Sequence, residues 1–121
     1  MKRSIMQIYS KKSNEALEFY KKVFPEATET CRYLNDDGTI AHAELTLFGN
    51  IIAIAQWEKA STGHAMQFCF QFDETERHII DHAYEMLKEE GVVSSPLGPI
   101  EWSPYMTALT DKYGVNWCLF I

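Results

Sequence analysis

Apolar residues recur along this chain at two different spacings, and each change of spacing marks an element. Residues 4–9 alternate loosely between polar and apolar, as a half-buried strand does. Over residues 14–24 the interval becomes helical, with Ala16, Leu17, Tyr20, Val23 and Phe24 on one stripe. Ser13 stands where a helix N-cap would, Glu15 lies in the first turn, and Pro25 cannot continue the helix. Residues 28–34 are rich in β-formers, and NDDG at 35–38 signals a turn. Strands are predicted over 40–48 and 51–57, joined by a two-residue turn at Gly49-Asn50.

The second half follows the same order. AMQFCFQF, residues 65–72, alternates strictly: Phe68, Phe70 and Phe72 share one face, and Gln67, Cys69 and Gln71 share the other. Asp73 followed by Glu76 predicts a capping box. The helix after it runs to Glu90, with Ile79, Ile80, Ala83, Met86 and Leu87 inward and Gly91 as its stop. SSPLGP (94–99) reads as a loop, 105–110 as a strand, DKYG as a turn and 115–121 as the last strand. Strand–helix–strand–strand–strand thus occurs twice, with helix starts about 60 residues apart, which predicts two similar half-domains. The apolar C-terminus fits a core strand rather than a frayed end.

Composition narrows the function. At 121 residues the chain fits one domain, large enough to bury a core without disulfides or structural metal. Its net charge of −6 and lack of a basic stripe argue against nucleic acid. Cys31, Cys69 and Cys118 are odd in number, far apart and without CxxC, the pattern of reduced thiols. No window has the length of a membrane span, and no signal-peptide core follows the first residues, so a cytoplasmic location is expected.

NEALEFYKKVFP, HAELTLFGN and DKYGVNWCLF, in this order on a duplicated frame, resemble the PhnB-like branch of the vicinal oxygen chelate superfamily. That superfamily also holds glyoxalase I, extradiol dioxygenases and the bleomycin- and fosfomycin-resistance proteins. The resemblance covers nearly all of 1–121. It implies an α+β fold in which two βαβββ modules, about 1–60 and 61–121, pair into a curved, cup-like mixed sheet with the helices on the convex side. It also implies a homodimer and a small organic molecule in the concave cavity.

Metal-using members hold an ion with four side chains on cup strands. The matching positions here are Ile5 or Gln7 on the first strand, Ala53, Gln67 and Cys118. An amide, a methyl and a thiol make a poor donor set, so no metal and no other cofactor is expected. Cys118 reads as a small buried hydrophobe. His78 and His82 have a zincin-like spacing, but Ile79 replaces the glutamate and a solvated helix face is the simpler reading. His64 falls in a polar loop.

His42 and Glu44 are the candidate catalytic pair, since residues two apart on a strand share a face and a carboxylate can orient an imidazole base. Gln7, Gln67, Cys69, Trp102, Tyr105 and Cys118 are the candidate ligand-binding residues. Trp57, Tyr113 and Trp117 are further aromatic candidates, with Trp117 placed in the core by alternation. There is no P-loop, nucleophile elbow or GxGxxG. Members of this branch are sometimes labelled demethylubiquinone methyltransferases, yet no Gly-rich strand–helix loop is present to hold an S-adenosyl cofactor. A metal-free binding protein is the leading expectation. The alternatives are a metal-dependent or His-based lyase, isomerase or dioxygenase, and a drug-sequestering resistance protein.

Overall fold

A computed structural model describes all residues, 1–121. The chain divides into two compact units, Met1–Ser61 and Thr62–Ile121.

In the first unit β1 (Met6–Ser10) leads into helix α1 (Ser13–Val23), followed by β2 (Thr28–Leu34), β3 (Ile40–Leu47) and β4 (Asn50–Gln56). The sheet order is β1-β4-β3-β2, with β1 parallel to β4 and the other pairs antiparallel. The predicted stripe is the buried face of α1: Ala16, Leu17, Tyr20, Val23 and the following Phe24 are all at or near zero exposure. It packs on β1, β3 and β4. Each such large side chain contributes about 1.5–3 kcal/mol of burial.

Two local expectations need correction. Ser13 is inside the helix and Lys12 is its N-cap residue. The Ser13 hydroxyl instead accepts the Ile40 amide at 3.1 Å, and its own amide donates to Gln56 Oε1 at 3.0 Å, which ties the helix start to β3 and β4. The β3–β4 turn is Phe48-Gly49, not Gly49-Asn50, because Leu47 pairs with Asn50. Both turn residues have positive φ, 50° and 76°, as this turn type requires.

In the second unit β5 (Phe68–Gln71) is followed by a 3-10 turn at Glu74–Glu76, helix α2 (Arg77–Leu87), β6 (Val92–Ile100), β7 (Ser103–Thr110) and β8 (Asn116–Phe120). The sheet order is β5-β8-β7-β6, again with one parallel pair, β5 and β8. The capping box at Asp73 forms, with the Asp73 amide donating to Glu76 at 2.9 Å. The helix ends at Leu87 rather than Glu90, and Glu90, not Gly91, takes the left-handed conformation (φ 57°). Gly91 is needed for another reason: a Cβ there would lie 2.6 Å from the Thr110 carbonyl oxygen.

SSPLGP is not a loop but the middle of β6. Its prolines made the stretch look irregular, but an edge strand tolerates missing amides, and the β6–β7 register does shift three times. This strand completes the second βαβββ unit. The apolar terminus is β8, paired on both sides by β5 and β7. No helix is long and apolar enough to cross a membrane.

Candidate functional site

On the first sheet, cross-strand partners place one row across the face opposite α1. Gln7 pairs with Ala53, Ala53 with Glu44, and Glu44 with Cys31. Directly paired residues share a face. A β-bulge at Thr30 sets the end of this row. Glu29 pairs with Leu45, yet it is Cys31 that pairs with Glu44, so the extra residue turns the Cys31 thiol toward the carboxylate. His42, two residues before Glu44, points the same way.

The His42 and Glu44 pair is assembled as the alternation predicts. His42 Nε2 lies 2.8 Å from Glu44 Oε1. Arg3 donates to both oxygens of the same carboxylate, at 2.6 and 2.8 Å, a two-pronged charge-assisted contact. Glu44 is buried, with 4% exposure, while the Arg3 side chain is half exposed. The Arg3 guanidinium first, and His42 second, hold the Glu44 carboxyl below its ordinary pKa of 4.5. The same contact raises Arg3. Neither Arg3 nor Cys31 was a candidate from sequence: Arg3 lies outside any regular element, and the bulge leaves no mark in the apolar pattern.

On the second sheet Cys69 and Cys118 are direct partners on the parallel β5–β8 pair. Cys69 is exposed and Cys118 is buried. Burial, and the Cys69 thiol against it, push the Cys118 thiol up to about 11. The Cys69 thiol also lies 3.6 Å from Gln67 Oε1, and Gln67 Nε2 reaches the Trp117 carbonyl at 3.4 Å. These three residues form a neutral polar group. Trp102 is 61% exposed and stands edge-on to Phe120, 5.1 Å between centroids. Tyr105 does not join them. Its hydroxyl donates to Asp81 and its ring lies 4.1 Å under the Arg77 guanidinium, both on α2. Trp117 is fully buried against Phe68 and Phe70. Trp57 contacts Tyr9 at 5.3 Å. His78 and His82 are exposed on α2.

The four positions that the resemblance assigned to a metal do not fit one. Gln7 folds its amide onto the neighbouring Ile8 carbonyl at 2.9 Å. Ala53 has no donor, Gln67 is a neutral amide, and the buried Cys118 would stand as a lone thiol among them.

A cavity of about 750 Å³ lies at the end of the second sheet, where β7 turns into β8. Segment 62–67 forms one wall, with Thr62, His64 and Gln67, and Thr110, Lys112 and Asn116 face it from the sheet end. Asn116 fixes that wall by donating to the carbonyls of Gly63 and Met66, the latter at 2.8 Å, and it accepts from Thr110 at 2.7 Å. Of the sequence candidates only Gln67 lines this cavity, and Asn116 was missed because its role depends on a loop 50 residues away.

Residues 1–120 match a family model described as 3-demethylubiquinone-9 3-methyltransferase. The chain belongs to this family, the PhnB-like branch of the vicinal oxygen chelate superfamily. No curated protein matches it significantly. Among solved structures, this PhnB-like chain is similar to a putative 3-demethylubiquinone-9 3-methyltransferase, PhnB protein, from Bacillus cereus. They share 25% identity with a TM-score of 0.81, over 98% of this chain and 96% of that one. It is also similar to protein PA1353 from Pseudomonas aeruginosa, at 19% identity and TM-score 0.82, over 99% and 97%. The fosfomycin resistance protein FosX from Listeria monocytogenes shares its fold at 16% identity and TM-score 0.73, over 97% and 90%. In the PhnB-like chain neither strand–helix connection is glycine-rich: β1 meets α1 through Lys11-Lys12, and β5 meets the 3-10 turn through Phe72-Asp73.

Proposed function

We propose that this PhnB-like chain binds a small organic molecule and does so without a metal at the four superfamily positions. The observation that carries this reading is the donor chemistry there: a turned-back amide, a methyl, a second amide and a lone buried thiol. The cavity beside Gln67 has the volume of small-molecule sites, which run to about 300–1,000 Å³. Its amide and hydroxyl groups suit a polar, uncharged ligand, since Lys112 is paired with Glu90 at 3.7 Å and Asp111 adds a second carboxylate to the lining. A homodimer and a cytoplasmic location are part of the same reading, and sedimentation analysis tests the first.

The test uses chelator-treated protein and a panel of small polar organic molecules, neutral and charged, followed by amide chemical-shift mapping. Shifts at Gln67, Thr110 and Asn116, lost when Ser94→Trp fills the cavity from the exposed edge strand, support the reading. Binders that shift only other surfaces overturn it. Mn²⁺ uptake that disappears with Gln67→Ala or Cys118→Ala overturns the metal-free part.

A His-based reaction is the second reading, favoured by the 2.8 Å contact between His42 and Glu44. A His42→Ala variant that stays folded and loses turnover on an identified substrate supports it, and full turnover refutes it. Sequestration without turnover, in the manner of a drug-resistance protein, predicts protection of cells against a compound that is recovered unchanged.

A further inference from the structure

We propose that Cys31, His42 and Glu44 form a binding site for a zinc-type divalent cation, which Arg3 occupies until metal displaces it. The site lies on β2 and β3 of the first unit. It shares no position with the four superfamily metal positions, and it stands whether or not the second unit's cavity binds an organic ligand.

The three donors already converge. The Cys31 thiol sulfur, a ring nitrogen of His42 and a carboxylate oxygen of Glu44 all lie within 4.8 Å of one another. Around a tetrahedral zinc, with bonds near 2.0–2.3 Å, donors sit about 3.4–3.6 Å apart. His42 and Glu44, at 2.8 Å, would open by less than about 1 Å, and Cys31 would close by at most about 1.4 Å. Side-chain rotation supplies movements of this size. Two of the donors stand on one strand and the third is brought opposite Glu44 by the bulge at Thr30. Three different ligand types leave a fourth position open. A thiolate with an imidazole selects zinc-like ions over magnesium or calcium.

Charge explains Arg3. Glu44 is buried and anionic, and without a metal it needs a cation beside it. The guanidinium takes that place through both oxygens. Arg3 comes from the segment before β1, outside regular structure, and its side chain is half exposed, so it can return to water once the ion compensates the charge of Glu44. On uptake the Cys31 thiol releases its proton to solvent. Thiolate and carboxylate then balance the two positive charges of the ion, and Arg3 is free to return to water.

The experiment titrates chelator-treated full-length protein with Zn²⁺ by calorimetry and with Co²⁺ by absorption. The expected result is one ion per chain, with a thiolate-to-cobalt charge-transfer band. Cys31→Ser removes the band, and His42→Ala weakens uptake at least tenfold. Arg3→Ala strengthens uptake about two- to fivefold by removing the competing cation. Thermal melting shows that the three variants fold; Cys31 and His42 are partly exposed and their replacement leaves the core intact. The proposal is overturned if no ion binds with metal in excess, if Cys31→Ser and His42→Ala both leave uptake unchanged, or if Arg3→Ala does not tighten it.

Discussion

Removing one carboxylate from the β7–β8 turn predicts a large loss of stability. Asp111 is buried, with 4% exposure, and its two oxygens accept three hydrogen bonds. One oxygen takes the amides of Tyr113 and Val115, at 2.8 and 3.1 Å, and the other takes the indole N–H of Trp117 at 2.9 Å. In Asp111→Ala the indole, whose residue is fully buried, loses an acceptor that water cannot replace, at about 1–3 kcal/mol. Tyr113 and Val115 are only partly buried, so water can reach their amides and each loss is about 0.5–1.5 kcal/mol. The sum is about 2–6 kcal/mol, a large share of the roughly 5–15 kcal/mol that stabilises a domain. For a chain of this size the midpoint falls by roughly 6–30 °C. Asp111→Asn keeps an oxygen for the two amides and turns an amide donor toward the indole, so it loses less, about 1–3 kcal/mol. Urea unfolding followed by Trp fluorescence and circular dichroism measures both. A loss below about 1 kcal/mol in Asp111→Ala would mean that the turn is held by its backbone alone and that this reasoning is wrong.

Three further outcomes follow from single contacts. Gly91→Ala drives a Cβ into two backbone carbonyl oxygens, at 2.6 and 2.8 Å, and costs about 1–3 kcal/mol; an unchanged unfolding midpoint contradicts this. Alkylation by iodoacetamide at pH 8 modifies exposed Cys69 and spares Cys118, whose thiolate fraction at a pKa of about 11 is on the order of 10⁻³; peptide mass spectrometry reads the ratio, and equal labelling refutes it. Because the Glu44 carboxyl is held below 4.5 in the folded chain, its contribution is present above that pH and is lost as pH falls through the lower folded value. Glu44→Gln flattens the acid limb of the stability curve, and an unaltered limb rules the contribution out.

Much of the fold could be read from the sequence because each half obeys local rules. The α1 stripe, the alternation of Phe68 and Phe70, and the Asp73 box rest on spacing that no distant contact overrides. The misplacements occur where tertiary contacts decide. Ser13 gave up its cap position to bond β3, the β3–β4 turn moved by one residue to put Gly49 second, and prolines at 96 and 99 hid an edge strand. At the candidate site, His42 and Glu44 could be found because two-residue spacing on a strand is visible. Arg3 and Cys31 could not: one arrives from 41 residues away in sequence, and the other is aimed by a bulge. Tyr105 illustrates the opposite error, since an aromatic near a loop can equally serve a helix, and here Asp81 and Arg77 claim it.

The irregularity of β6 also limits how the chain can associate with others. A straight outer strand offers a ladder of unpaired amides and carbonyls to any neighbouring chain, the usual start of uncontrolled sheet growth. Here Pro96 and Pro99 remove two amides from the strand and its pairing register shifts three times. Strand-by-strand extension across that border is therefore disfavoured, and side-chain surfaces are the better route to self-association there.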